Sequence, residues 1–271
     1  MEYCDTSLPG INEVQMYLKS PGGRTPGHVE NQVMASINLN IGPGDCTWIC
    51  IPMMHIAKIE KYLRDNSIFP YASTFWINEE DLKANGIPYQ KFVQKKGDLV
   101  YVGIGTYHWV QSNGYCANVS WNVAQMDAVQ LMASAIIHDH NAEQRYTSIV
   151  PLVPMMWNMV MEGESKGTEL ARIVKKLLVS SLAKCQIELD TATVKKIPVV
   201  PMADSIYSIP QVALCSRMTC PRPTLFNLVA VNKNDEAAPI TCIDCAHVNS
   251  DVTAYQRYSM NDLVEWFDAY H

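Results

Sequence analysis

Positive charge is scarce in this sequence. Lys and Arg number 21 against 27 Asp and Glu, which gives a formal net charge of −6 and a pI near 5.6. Tight binding to a nucleic-acid backbone needs clustered Lys and Arg, so sequence-specific nucleic-acid recognition is not expected. An acidic chain attracts basic partners instead, such as a Lys/Arg-rich tail. Also lacking is any apolar run of about 18 residues, the length a membrane-spanning helix requires. The nearest, Ile149 to Met161, is short and broken by prolines. The opening MEYCDTSLPG has no basic stretch followed by an apolar one, so no secretory signal is visible. These absences point to a soluble intracellular chain with no membrane partner. What is present fits a globular protein: 48 % apolar and 18 % charged residues exclude disorder, and 271 residues suffice for one full core and a second small one. Nine cysteines in such a setting favour metal ligation or plain core thiols over disulfides.

The first half reads as strands. Val14 to Ser20 alternates, as does Met34 to Gly42, where Ser36, Asn38 and Asn40 point one way and Ile37, Leu39 and Ile41 the other. Cys46 to Pro52 is a denser apolar strand, followed by Tyr89 to Gln94, Asp98 to Gly103, His108 to Gln111 and Tyr115 to Val123 between turn signals. In the last of these, Cys116, Asn118, Ser120 and Asn122 share a face opposite Ala117, Val119, Trp121 and Val123. A polar row backed by an apolar row suits either a small barrel around a wet cavity or an antiparallel sheet with one solvated face. Two helical inserts, His55 to Asn66 and Asn78 to Gly86, interrupt the strands. The second has an Asn cap and a Gly stop. After Val123 the period becomes helical, predicting a layer of helices against the strands. Thr191 to Pro210 is Pro-containing and unpatterned and reads as a linker. The division expected is therefore 1–124 a strand domain, 125–190 helical layer, 191–210 linker and 211–271 a small cysteine-bearing domain.

The stretch RTPGHVENQ, Arg24 to Gln32, holds the chemistry of interest. His28 and Glu30 form a His-x-acid triplet, a pattern that seven histidines and 27 acids make about once by chance in such a chain. His108, opening a late strand 78 residues after Glu30 (108 − 30), supplies a third ligand. Two imidazoles and one carboxylate on one side of an ion leave three positions open, the arrangement of non-haem Fe(II) oxygenases. The rival pair His138 and His140 stands two apart on a helix, so its rings face roughly 200° apart and cannot share an ion; a solvated face is expected there. His55 is expected to be exposed, and His247 follows a cysteine pair closely enough to serve behind it.

Taken together, PGGRTPGHVEN, NLNIGPGDC, GDLVY and GTYHWVQ, with SIVPLVPMMWNM and the C-terminal cysteines, resemble the JmjC family of Fe(II)- and 2-oxoglutarate-dependent oxygenases. More narrowly the chain is similar to the UTX branch, which demethylates lysine 27 of the histone H3 tail. The resemblance covers nearly the whole chain and implies a double-stranded β-helix (jelly-roll, cupin-like) fold, mainly β with added helices. It implies that His28, Glu30 and His108 ligate Fe(II). Lys19, with Thr25, would hold the distal carboxylate of 2-oxoglutarate, and Asn38 and Asn118 would hold the cosubstrate or the metal's surroundings. Tyr17, Thr25, Ser36 and Asn118 would line the methyl-lysine slot. The implied reaction couples decarboxylation of 2-oxoglutarate by O₂ to hydroxylation of an N-methyl group and release of formaldehyde. The histone H3 tail and subunits of a chromatin complex would be its partners and the nucleus its location.

Cys215 and Cys220, then Cys242 and Cys245, form two close pairs with 21 residues between them, which reads as a closed structural Zn(II) site. Cys4, Cys46, Cys50, Cys116 and Cys185 are spaced as packing residues. The UTX branch has a similar zinc module whose first pair is C-x₂-C. Here the pair is C-x₄-C, with Pro221 and Pro223 following, so the surface that meets the substrate is expected to differ. Few Lys or Arg flank it (Arg217, Arg222, Lys233), which argues against a DNA-binding ribbon. The family carries helices and strands before the Lys19 strand, whereas Met1 stands only 18 residues upstream of it, so part of the outer apolar face is expected to be uncovered. Two functions follow from these residues: a histone lysine demethylase, motivated by the triad and Lys19, or a non-catalytic chromatin-binding scaffold that keeps the barrel and the zinc module.

Overall fold

Strands with Ser and Asn on one side and aliphatic groups on the other can bury both faces of a sheet by closing around a polar interior. The computed structural model, which describes residues 3, 4, 6–69, 74–125, 127–144, 146, 148–163, 165–205, 207, 209, 210, 213–217, 220, 224–234, 239–246 and 251–270, has this closure. The chain divides into two compact units, Ser7–Met126 and Asp127–His271, the latter joined by Glu2–Thr6.

The first unit contains β1 (Gln15–Lys19), β2 (Arg24–His28), β3 (Ala35–Pro43), β4 (Cys46–Ile51), α1 (Ile56–Asp65), α2 (Glu79–Ala84), β5 (Gln90–Gln94), β6 (Leu99–Val102), β7 (Tyr107–Ser112) and β8 (Cys116–Val123). Its strands form two antiparallel sheets, ordered β1-β8-β3-β6 and β2-β7-β4-β5, which is the expected jelly roll. The polar rows point inward: Ser36, Asn38 and Asn40 of β3 and Asn118 and Asn122 of β8 are all buried. On the other face of that sheet Met16, Leu18 and Leu99 remain 60 %, 79 % and 58 % exposed.

The outer face of the second sheet is covered by the two inserts. Ile59 and Leu63 of α1 and Leu82 of α2 pack with Ile49, Ile51, Tyr107 and Trp109. The apolar residues of α1 recur at helical spacing, so one face docks and the rest is solvated. In α2 the Asn78 side chain accepts from the Asp81 N–H at 2.7 Å, and Gly86 takes the left-handed φ of +60° just past the helix, as its cap and stop signals predict.

The second unit contains α3 (Ala128–Glu143), α4 (Leu152–Glu162), α5 (Glu169–Val194), β9 (Val199–Pro201), β10 (Ala213–Leu214), β11 (Thr224–Leu225), β12 (Leu228–Asn232), β13 (Ile240–Thr241), β14 (Val252–Gln256) and α6 (Met260–Ala269). Its helices share one core, in which Met156 and Trp157 of α4 and Val174 and Leu178 of α5 meet Leu263 of α6. The linker expected over 191–210 is corrected. Its first residues end α5, with Ala192 fully buried against Leu228 and Ala254, and Val199–Pro201 pairs in parallel with β14 at the edge of the sheet β13-β12-β14-β9. Prolines suggested irregular chain, but an edge strand tolerates a residue without an N–H. No described helix is long and apolar enough to cross a membrane.

Leu63 is 1 % exposed in the core between the inserts and the sheet. Leu63→Ala should therefore cost about 2–5 kcal/mol of stability, measured by urea titration, with zinc content unaltered.

Candidate active site and metal centres

Antiparallel pairing of β2 and β7 sets His28 directly opposite His108, with ring centroids 4.3 Å apart. The ladder is irregular between Thr25 and His28, where Pro26 and Gly27 step out of register. Gly27 is required there by space. A Cβ would fall 2.2 Å from the Trp109 ring, and the Tyr107 hydroxyl donates to the Gly27 carbonyl at 3.1 Å. Glu30 follows just beyond the strand. The ligand atoms of His28, Glu30 and His108 lie within 4.8 Å of one another, and His108 Nε2 is 3.7 Å from Glu30 Oε1.

Both imidazoles are oriented by their own strands. His28 Nδ1 lies 2.9 Å from the Pro26 carbonyl, and His108 Nδ1 lies 3.1 Å from that of Thr106. A proton on each Nδ1 donates to that carbonyl and leaves the Nε2 lone pair for an ion. Trp48 stacks on His108 at 5.6 Å between centroids, fixing the ring plane. Burial, helped by the charge of His28 and opposed by Glu30, pushes His108 down to about 4, so it is neutral, the ligand form, at neutral pH. Burial would raise Glu30, but His108, His28 and hydrogen bonds from Asn122 and Ser36 outweigh it and hold the carboxyl below the ordinary range. Two imidazoles and a carboxylate converging on one point fit a ferrous ion with three positions left open.

The other residues singled out in the sequence are placed as follows. Lys19 ends β1, largely withdrawn from water. Burial lowers its pKa against the opposing pull of the Cys46 and Cys116 sulfurs, and among the described residues no carboxylate pairs with its ammonium. Its Nζ lies 5.8 Å from the Tyr17 ring centroid. The Tyr17 hydroxyl donates to Gln15 Oε1 at 2.9 Å, and burial together with the Glu30 charge raises its pKa. Thr25 is half-buried in β2, opposite Val110. Asn118 Nδ2 donates to Asn38 Oδ1 at 2.9 Å, joining two residues read separately in the sequence. Ser36 was expected in the methyl-lysine slot, and its side chain hydrogen-bonds the Glu30 carboxylate. Asn122, Trp48 and Gln94 are the residues sequence reasoning missed as parts of the site. The first lay in the polar row already read, while the other two look like ordinary members of apolar strands. His138, expected on a solvated face, is half-buried, and burial lowers its pKa. Neither it nor His140 joins a metal-ligating group among the described residues. His55, expected to be exposed, is half-buried ahead of α1. His247, Pro221, Arg222 and Pro223 lie outside the described residues.

In the second unit, Cys215, Cys220, Cys242 and Cys245 bring four sulfurs within 4.8 Å of one another, with Cys220 and Cys242 Sγ 3.8 Å apart. A tetrahedron with zinc–sulfur bonds of about 2.3 Å has edges of about 3.8 Å, so the set fits zinc. The Cys245 N–H donates to Cys242 Sγ at 3.4 Å, and Lys195 Nζ ties the loop by donating to the carbonyls of Ile243 and Asp244 at 2.8 Å and of Ala246 at 3.2 Å. Burial pushes the Cys242 thiol up, and the Cys215 and Cys220 charges add to this. Ionising all four sulfurs together therefore calls for a dication. The longer C-x₄-C loop closes through a Cys220 N–H to Arg217 carbonyl bond of 2.9 Å. Of the remaining cysteines, Cys46, Cys50, Cys116 and Cys185 are buried free thiols.

Residues 15–123 match the family described as JmjC domain, hydroxylase. The whole chain aligns with Lysine-specific demethylase 6B of Homo sapiens, 30 % identical over 274 residues, and with Lysine-specific demethylase jmjd-3.1 of Caenorhabditis elegans, 33 % identical over 280 residues. Those alignments take in 100 % of this chain but 17 % and 26 % of the two relatives, so it spans about a quarter or less of their length.

Two outcomes follow from this geometry. Gly27→Ala should displace the Trp109 ring and the β2 step, lowering Fe(II) or Mn(II) affinity at least tenfold by calorimetry. Cys242→Ser should reduce zinc content from about one to well under one per chain by atomic emission and lower the melting temperature of the second unit.

Proposed function

The chain belongs to the JmjC family, and we propose that it is an Fe(II)- and 2-oxoglutarate-dependent dioxygenase that removes N-methyl groups from a histone H3 lysine, lysine 27 being the favoured position. One observation carries this reading: the convergence of His28, Glu30 and His108 within 4.8 Å at a barrel interior that also holds a cation, Lys19, without a paired carboxylate. An ammonium half-withdrawn from water is favoured when an anion meets it, and a dicarboxylate cosubstrate supplies that anion. A ferrous ion on the triad would supply O₂ activation and the oxidative decarboxylation of 2-oxoglutarate to succinate and CO₂.

The chain's own residues supply orientation and a pocket poor in water. Lys19, with the Thr25 hydroxyl of β2, holds the distal carboxylate. Asn38 and Asn118 fix the cosubstrate laterally. Ser36 and Asn122 keep the Glu30 carboxylate turned to the metal, since each donates to it. Tyr17, part-exposed near Glu30, flanks the entry of the methylated side chain. The net charge of −6 favours a cationic tail as substrate, and the relatives that the chain aligns with are both named lysine-specific demethylases. A histone substrate would place the protein in the nucleus, in the company of chromatin subunits.

A second reading, a non-catalytic scaffold on chromatin, is favoured by the exposed Met16, Leu18 and Leu99 on the outer sheet face, which suit a protein contact. Turnover separates the two readings. The Fe(II)-loaded protein with a trimethyl-lysine H3 peptide should release succinate and formaldehyde in about equal amounts, and His28→Ala should reduce both to background. Lys19→Ala should raise the KM for 2-oxoglutarate at least tenfold and leave that for peptide near its original value. Peptide binding without 2-oxoglutarate consumption, in a chain loaded with iron, would select the scaffold.

A further inference from the structure

Gln94, at the end of β5, is 1 % exposed inside the barrel and joins the two sheets through its side-chain amide. Trp48 Nε1 lies 2.9 Å from Gln94 Oε1. An indole N–H can only donate, so the atom facing it must be the amide oxygen. That choice fixes everything downstream. Gln94 Nε2 is turned to Asn38, donating to its carbonyl at 3.0 Å and approaching its Oδ1 at 3.2 Å, with the Asp98 carbonyl at 3.1 Å. A nitrogen of Asn38 in the Oδ1 position would set donor against donor. Asn118 repeats the constraint: its Nδ2 donates to Asn38 Oδ1 at 2.9 Å and to Gln94 Oε1 at 3.3 Å. Its own Oδ1 accepts from the thiols of Cys46 and Cys116 at 3.5 and 3.3 Å. With its oxygen accepting from Asn118 and facing the Gln94 nitrogen, Asn38 keeps Nδ2 as the amide nitrogen of the network that engages nothing among the described residues. That N–H₂ group is a donor ready for an anion.

We infer that Gln94 is a positioning residue that, polarised by Trp48, holds the Asn38 amide with its nitrogen presented to the carboxylate end of 2-oxoglutarate. The inference rests on the dioxygenase reading for the identity of the anion. The polarity of the network rests on the indole donor at one end of Gln94 and the backbone carbonyls of Asn38 and Asp98 at the other. Without Gln94, Asn38 keeps only the Asn118 donor on its oxygen, and the turned-over amide, which offers an oxygen that repels a carboxylate, gains population.

Two nearly isosteric variants test this. Gln94→Glu replaces the donating nitrogen with an oxygen, and Gln94→Met removes both polar atoms. Binding of 2-oxoglutarate is measured without O₂, by calorimetry on Mn(II)-loaded protein, alongside Mn(II) affinity and melting temperature. Gln94→Glu should weaken 2-oxoglutarate at least tenfold and Gln94→Met about threefold, while Mn(II) affinity stays within twofold of the original. Unchanged 2-oxoglutarate affinity in folded Gln94→Glu overturns the inference, as does an equal loss of metal and cosubstrate affinity, which marks general damage. If neither variant folds, Gln94 is a packing determinant and the positioning role is rejected. If the metal-loaded original protein binds no 2-oxoglutarate, the dioxygenase reading fails and takes this inference with it.

Discussion

The register between β2 and β7 is the constraint on which the site depends. Side chains alternate along a strand, so a slip of one residue would send His28 or His108 to the opposite face of the sheet. The observed pairing puts both rings inside, 4.3 Å apart, and the outward faces of the same two strands pin it in place. Trp109 is the residue next to His108, yet it lies on the other side, buried among the insert helices, with its ring against the Gly27 backbone. Packing on the outside of the sheet thus sets ligand geometry on the inside. The inserts thus support the candidate metal site although none of its three ligating residues belongs to them.

The interior illustrates how a protein keeps polar side chains out of water at tolerable cost. An unsatisfied buried amide costs a few kcal/mol, so the Asn row of β3 and β8 has to be paired. Asn40 donates to the Gly44 carbonyl at 2.9 Å, Asn118 to Asn38, and Ser120 to the Ile37 carbonyl at 2.7 Å. These bonds make the barrel stiff as well as polar, so a cosubstrate meets groups already aimed. Lys19 stands apart, a half-buried charge without a paired carboxylate among the described residues, and groups of that kind mark binding sites.

Much of this was legible in the sequence because strand periodicity carries burial. The alternation of Ser36, Asn38 and Asn40 with aliphatic residues announced an inward polar row, and the Asn78 and Gly86 signals bounded α2. The triad emerged from residue type and chain separation. Harder to read was anything that depends on contacts across the barrel. Gln94 ends a short strand, and nothing local reveals that it meets Trp48 of the neighbouring strand and reaches across the barrel to Asn38. Ser36 could be assigned to the interior, but its bond to Glu30 depends on the turn at 31–33, where Gln32 and Val33 take left-handed φ values of 51° that neither residue type favours. The prolines at 198 and 201 hid a strand because only its place at a sheet edge makes them acceptable.

Each iron-triad histidine takes its orientation from a carbonyl two residues earlier in its own strand, and the Glu30 contacts come from β3 and β8. Every group that shapes this site therefore belongs to the unit Ser7–Met126, while the four zinc-type cysteines and Lys195 belong to the other. Two ions held at these sets would be independent ligands in the thermodynamic sense: each would stabilise a different compact unit, and loss of one need not release the other. Removing an ion held by His28, Glu30 and His108 would therefore leave the four-cysteine half with its own ligands and its own core intact.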